Sequence, residues 1–141
     1  MAVHVAKSFE TEVEKAFRFL VAELCLSGPS TGGPSAVAYA GDDVSYQVFL
    51  DPHTHAVTTR VTRVVGAARF TADLPALVVG AALGTAESVR QGARTLAELR
   101  TTVLNQAGYV RRLQPYLTPL NVLPLMRAAH AHEQPLIQVS P

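Results

Sequence analysis

Tryptophan is absent from this 141-residue chain, cysteine occurs once and lysine twice. Each shortage closes off a class of function. A single cysteine, Cys25, cannot form an internal disulfide, so folding does not depend on an oxidising compartment. It also leaves no Cys/His cluster for a structural zinc. Charged residues make up 16% and the formal net charge is +1, so there is no basic excess of the kind that grips a phosphate backbone. Aromatics are 6%, and no basic run is interleaved with them, which speaks against stacking on single strands. Nucleic acid is not an expected partner.

Long apolar runs are also missing. The longest charge-free apolar stretch, Leu74 to Ala86, falls short of the roughly 20 residues that a bilayer requires. It reads as a buried helix, and no membrane association is expected. The segment "MAVHVAKSFETEVEK" has no apolar core of signal-peptide length. The expectation is one cytoplasmic domain, residues 1–141, with no cofactor.

The patterning that is present predicts an α+β fold. Phe9, Val13, Ala16, Phe17, Leu20, Val21 and Leu24 recur at helical period, which predicts a helix over 8–27 with Ser8 as its cap. Cys25, at the edge of that stripe, reads as a packed thiol. "SGPSTGGPS" (27–35) is a Gly/Pro/Ser loop. It lacks the Lys-Ser/Thr pair that a phosphate cradle needs. Alternation then predicts a three-stranded antiparallel meander at 36–40, 44–51 and 56–65. Helices are expected at about 74–83, 86–113 and 121–132, with an additional edge strand at 136–139. Asp73 and Thr85 are placed as caps, and Gly84 as a terminator.

Register can be argued from parity. Val44, Tyr46, Val48 and Leu50 are even-numbered, whereas Val57, Thr59 and Val61 are odd-numbered. A sheet face buries as a unit, so paired positions must sum to an odd number. Asp51 opposite Ala56 satisfies this and leaves the loop Pro52-His53-Thr54-His55. Pro52 suits the first central position of a type I turn. His55 falls where a left-handed conformation is required. The histidines are therefore explained by turn geometry.

Residues 86–110 carry a near-heptad seam of Val89, Ala93, Leu96, Arg100, Val103 and Ala107. The seam packs within one subunit or meets a second copy across a two-fold axis. In the second case Arg100 pairs with Glu98 or Glu87 of that copy. These six residues are the expected oligomer interface of a homodimer.

Candidate chemistry is sparse. His53 and His55 repeat the His-x-His spacing of His130 and His132, the only metal candidates. On a helix the second pair points apart by about 200°, and the zinc spacing His-x-x-x-His is absent. There is no Gly-x-Ser-x-Gly elbow and no paired-carboxylate motif. Gln47 and Arg60 lie on the polar face of the meander with Arg63 and Arg69 nearby, a surface suited to a carboxylate, a phosphate or an acidic protein partner.

Residues 17–61 resemble small bacterial single-domain proteins in which a helix precedes an antiparallel meander. Phe17, Phe19, Leu20, Tyr39, Asp42, Val44, Tyr46, Val48 and Asp51 carry the likeness. Some such proteins are immunity-protein-like and act by surface binding. The resemblance implies a helix-on-meander fold and no catalytic residue. The sequence is thus read as a non-enzymatic binding or protein-interaction module. The alternative is a small-molecule-binding protein or hydrolytic enzyme whose histidines are brought together by folding.

Overall fold

The computed structural model describes residues 2–31 and 35–136, with side chains from Val5 onward. The sheet is six-stranded and antiparallel in sequence order, and alternating apolar residues in the middle third build its central strands. Its strands are β1 (Ser27–Thr31), β2 (Ala36–Ala40), β3 (Val44–Asp51), β4 (Ala56–Val65), β5 (Ala68–Asp73) and β6 (His132–Pro135). The three expected strands form β2 to β4, and Asp51 pairs with Ala56 as parity requires. Parity puts Val37, Tyr39, Tyr46, Val48, Leu50, Val57, Val61, Phe70 and Ala72 on one face, all buried.

The sheet extends beyond the expected meander at both edges. β1 lies in the segment read as a loop, because Gly28 and Pro29 look like breakers. Both are tolerated on an edge strand. β5 follows a tight turn at Gly66, whose φ of +60° suits glycine, and buries only Phe70 and Ala72. β6 forms at His132–Pro135 rather than 136–139. Residues 137–139 of that expected strand lie outside the described residues.

Five helices form the second layer: α1 (Ala2–Ala16), α2 (Arg18–Ala22), α3 (Leu74–Gly80), α4 (Leu96–Leu113) and α5 (Val122–Ala128). None is long and apolar enough to cross a membrane. The expected 8–27 helix starts earlier and breaks at Phe17, so Ser8 lies inside α1 and caps nothing. Beyond that break Leu20 stays buried, but the rest of the stripe does not. Val21 and Leu24 are exposed, and so is Cys25, the expected packed thiol.

α3 and α5 end sooner than expected, and by the same device. Ala82 has φ +57°, with Ala82 N–H donating to Val79 O and Leu83 N–H to Val78 O. His130 has φ +54°, with its N–H donating to Arg127 O and Ala131 N–H to Met126 O. Both are Schellman endings with a non-glycine residue in the left-handed slot. α3 therefore stops at Gly80, before the expected terminator Gly84. α5 releases the chain in time for His132 to join the sheet.

Helix α4 is tied to the sheet through one buried amide. Thr59 Oγ1 donates to Gln106 Oε1 at 2.8 Å. Gln106 Nε2 donates to the carbonyls of Val57 at 2.8 Å and Arg90 at 2.7 Å. Gln106 and Thr59 are both wholly buried, and every polar atom of the amide has a partner. The clamp holds an extended segment beside the hairpin. Val57 N–H donates to Gln91 O, Ala93 N–H donates to His55 O, and Ala56 bridges Gly92.

For this reason the expected 86–113 helix is not continuous. Ala86–Ser88 is a single 3₁₀ turn, and α4 begins at Leu96. Its start is fixed by Thr95, whose Oγ1 accepts Glu98 N–H at 3.1 Å, while Glu98 Oε1 accepts Arg94 N–H at 2.8 Å. The seam is consequently used within the chain. Val89, Ala93, Val103 and Ala107 are buried in the core, and Leu96 packs against it. Arg100 Nε pairs with Glu12 of α1 at 3.2 Å.

Gln106→Leu removes three hydrogen bonds and strands the Thr59 hydroxyl and two carbonyls. At about 1 kcal/mol per net hydrogen bond, and more for each stranded group, the variant is expected to lose about 3 kcal/mol or more in urea unfolding. A loss below about 1 kcal/mol would show that α4 is held by apolar packing alone.

Candidate binding surface

The helices cover one face of the sheet. On the other, strand alternation exposes Ser45, Gln47, Phe49, Thr58, Arg60, Thr62, Val64, Arg69, Thr71 and Asp73, each half-buried or exposed. Register sets them in cross-strand rows. Ala38, Gln47, Arg60 and Asp73 form one row, and Ser45, Thr62, Thr71 and His132 the next. Four of the ten carry a hydroxyl and four more an amide, a carboxylate or a guanidinium, so the surface is rich in hydrogen-bonding groups.

Arg60 is its centre. Nε donates to Asp73 Oδ1 at 2.8 Å, and the guanidinium lies 5.0 Å from the centre of the Phe49 ring. Asp73, expected to cap α3 through its side chain, makes no such bond and serves Arg60 instead. One guanidinium edge is thus fixed, and the terminal nitrogens have no hydrogen-bond partner among the described residues. Arg69 is exposed on the same face, two strand positions beyond Thr71.

A cleft of about 380 Å³ opens where this face meets the end of α5. Arg60, Thr71, Asp73, Ala76, His130 and His132 line it. Folding therefore brings His130 and His132 beside Arg60, although their spacing on a helix would separate them. The helix has ended, and His132 lies on β6 opposite Thr71. The one hydroxyl in the lining, Thr71 Oγ1, is 3.3 Å from Thr62 Oγ1 and has no imidazole partner among the described residues. This cleft can receive an anionic or hydrogen-bonding group, but it holds no nucleophile paired with a base.

Arg63 belongs elsewhere. It pairs with Phe70 on the helix-facing side and is mostly buried, unlike Gln47, Arg60 and Arg69. Nη1 donates to Leu117 O at 2.7 Å, and Nη2 lies 3.3 Å from Asp43 Oδ2. It joins the sheet to the turn after α4 and offers nothing to a partner on the outer face.

His53 and His55 sit at the opposite end of β4. Ala56 and Thr62 are six residues apart, or about 20 Å along the strand, so the two histidine pairs do not converge. Among the described residues no group of three or more His, Cys, Asp or Glu could hold a metal ion. The loop has the geometry that parity and Pro52 imply. Asp51 Oδ1 accepts His53 N–H at 2.8 Å and Thr54 N–H at 3.4 Å, and His55 has φ +55°.

The hydrogen bond from His53 N–H, followed by that from Thr54, holds the Asp51 carboxyl below its ordinary value of 3.8. A depressed value stabilises the fold above the ordinary range, and that stability is lost as pH falls through the lower one. Asp51→Asn keeps the acceptor oxygen but cannot titrate. Its unfolding midpoint is expected to fall less steeply than the wild type's below about pH 4. Identical acid profiles would dissociate the turn from the pH response. At the other end of the loop, His55→Gly is expected to raise stability by up to about 1 kcal/mol, because glycine occupies the left-handed region without a Cβ clash.

Compared with protein-family models, curated proteins and solved structures, the chain shows no significant match.

Proposed function

We propose that this chain is a non-catalytic protein-interaction module that presents its outer sheet face to an acidic polypeptide partner. One observation supports the reading above the others. Helices cover one face of a six-stranded sheet, and the other face remains open around an arginine that is already fixed on one edge. A guanidinium held by Asp73 and Phe49 loses little freedom when its remaining N–H groups take a carboxylate. Gln47 and Arg69 widen the surface in the plane of the sheet. The surface-binding role implied by the resemblance of residues 17–61 agrees with this reading.

Self-association as a homodimer is part of the proposal. The buried residues of the 86–113 seam already serve the chain's own core, which favours a surface elsewhere for that contact.

The cleft supports a second reading, in which a small anion sits between Arg60, His130 and His132. Titrating ¹⁵N-labelled protein with a glutamate-rich peptide, and separately with inorganic phosphate, distinguishes the two. Peptide shifts spread over Gln47, Arg60 and Arg69 are expected, and they should vanish in the Arg60→Glu/Arg69→Glu variant. Each charge-assisted hydrogen bond is worth about 1.5–3 kcal/mol, so affinity should drop at least about tenfold per arginine. Phosphate shifts confined to His130 and His132, with no peptide response, would favour the second reading. Peptide binding unchanged by charge reversal would remove the sheet face from consideration.

A further inference from the structure

Arg63 is mostly buried, yet most of its donors are unused. A guanidinium donates from all of its nitrogens. Among the described residues only Nη1 makes a hydrogen bond, to Leu117 O at 2.7 Å. Nη2 lies 3.3 Å from Asp43 Oδ2, an ion pair without hydrogen-bond alignment, and the Asp43 side chain is exposed. Nε is shut from solvent and has no partner among the described residues. Nε and Nη2 share one edge of the planar group, so that whole edge is free of hydrogen bonds. A buried donor left so is costly, and pairing it with an acceptor is correspondingly favourable.

Arg63 lines a hollow of about 270 Å³ between the helix-facing side of the sheet and the turn after α4. Tyr46 and Gln114 line it too. Gln114 Nε2 donates to the Tyr46 phenol oxygen at 3.0 Å, which leaves the phenol's own O–H without an acceptor among the described residues. Burial pushes that phenol above its ordinary value, so it remains a proton donor, and the opposing influence of Arg63 marks the guanidinium as its neighbour. Two underused donors therefore stand together. The other walls are apolar, from Leu24, Leu26, Val44, Leu117 and Pro119. Leu24, Thr118 and Pro119 are exposed, so the hollow is reached from solvent past them.

We infer that this hollow binds a small monocarboxylate with a short apolar tail, its carboxylate on the Nε–Nη2 edge of Arg63 and the Tyr46 hydroxyl, its tail among Leu24, Leu26 and Leu117. A planar carboxylate matches a guanidinium edge with two parallel hydrogen bonds, and it accepts from a phenol as well. An amine would meet the charge of Arg63, and a wholly apolar molecule would leave both donors unpaired. The arriving carboxylate replaces the loose contact to Asp43, which returns to water. Ligand sites start at about 300 Å³, so a hollow of about 270 Å³ suits a tail of a few carbons and not a long acyl chain. So small a ligand binds with a dissociation constant on the order of 100 μM. The site faces the helices, so it is independent of what binds the outer sheet face.

The test is titration of the ¹⁵N-labelled full chain with hexanoate, and separately with hexanamide, which has the same tail and no charge. Hexanoate should shift Val44, Tyr46, Leu117 and Thr118, and hexanamide should bind at least about tenfold more weakly. Tyr46→Phe should weaken hexanoate about tenfold, and Arg63→Met should abolish its binding. Arg63 also holds the turn after α4, so Arg63→Met is first checked by melting; Asp43→Asn, at an exposed position, tests the same edge without that risk. Removing the competing carboxylate should tighten hexanoate severalfold. No shift at about a hundred times the expected constant overturns the site. So does equal binding of hexanamide, or hexanoate binding that neither Tyr46→Phe nor Asp43→Asn alters, since the hollow would then take apolar groups alone. Hexanoate shifts confined to Arg60, His130 and His132 would assign the acid to the cleft on the outer face and overturn this site as well.

Discussion

The side-chain amide of Gln106 holds the two layers together. It is the point at which α4, the inner face of the sheet and the extended 90–93 segment meet, and all three of its polar contacts are direct hydrogen bonds to the protein. A buried amide is costly unless satisfied, so the arrangement admits few alternatives. α4 can neither slide along its axis nor roll, because either motion strands two carbonyls and a hydroxyl. The position of α4 in turn fixes α1, which packs across it and shares the Arg100–Glu12 pair. It also fixes the chain entering from β5 through α3. The open sheet face exists because this layer is locked on the other side.

The sheet's centre was legible in the sequence, since parity is a strict constraint. Even-numbered and odd-numbered apolar sets on neighbouring strands leave few pairings, and Pro52 and His55 select among them. The edges were not legible. β1 consists of Ser, Gly, Pro and Thr, all exposed, and β6 of His, Glu, Gln and Pro. Nothing in such segments repeats at period two. They become strands because β2 and β5 offer them free backbone groups, a tertiary cause with no local trace.

The helical half was half legible, for a specific reason. The seam from Val89 to Ala107 has the spacing of one long helix, yet Val89 and Ala93 are buried from an extended segment. Apolar periodicity reports burial and not conformation. The local signal that decides the matter is "TLAE", Thr95 to Glu98, a threonine followed three residues later by glutamate. It marks a helix start in the middle of the apparent repeat. The candidate surface shows the same division. Gln47 and Arg60 follow from strand alternation, whereas Arg69 reaches the same face on β5, a strand outside the expected meander. The company His130 and His132 keep with Arg60 depends on where α5 stops, and that is set by a left-handed histidine.

Strand β6 has a consequence for how the chain assembles. Strands β1 to β5 pair with their immediate sequence neighbours, with no more than four residues between one strand and the next. β6 reaches β5 only after three helices have been placed, and it closes a loop far longer than any other in the sheet. Closure entropy makes such a pairing late in folding. It rests on four residue pairs at an edge, which makes it an early place to open. The wall of the cleft that carries His132 is then the last-placed part of the sheet, a latch on a surface whose other strands are already set.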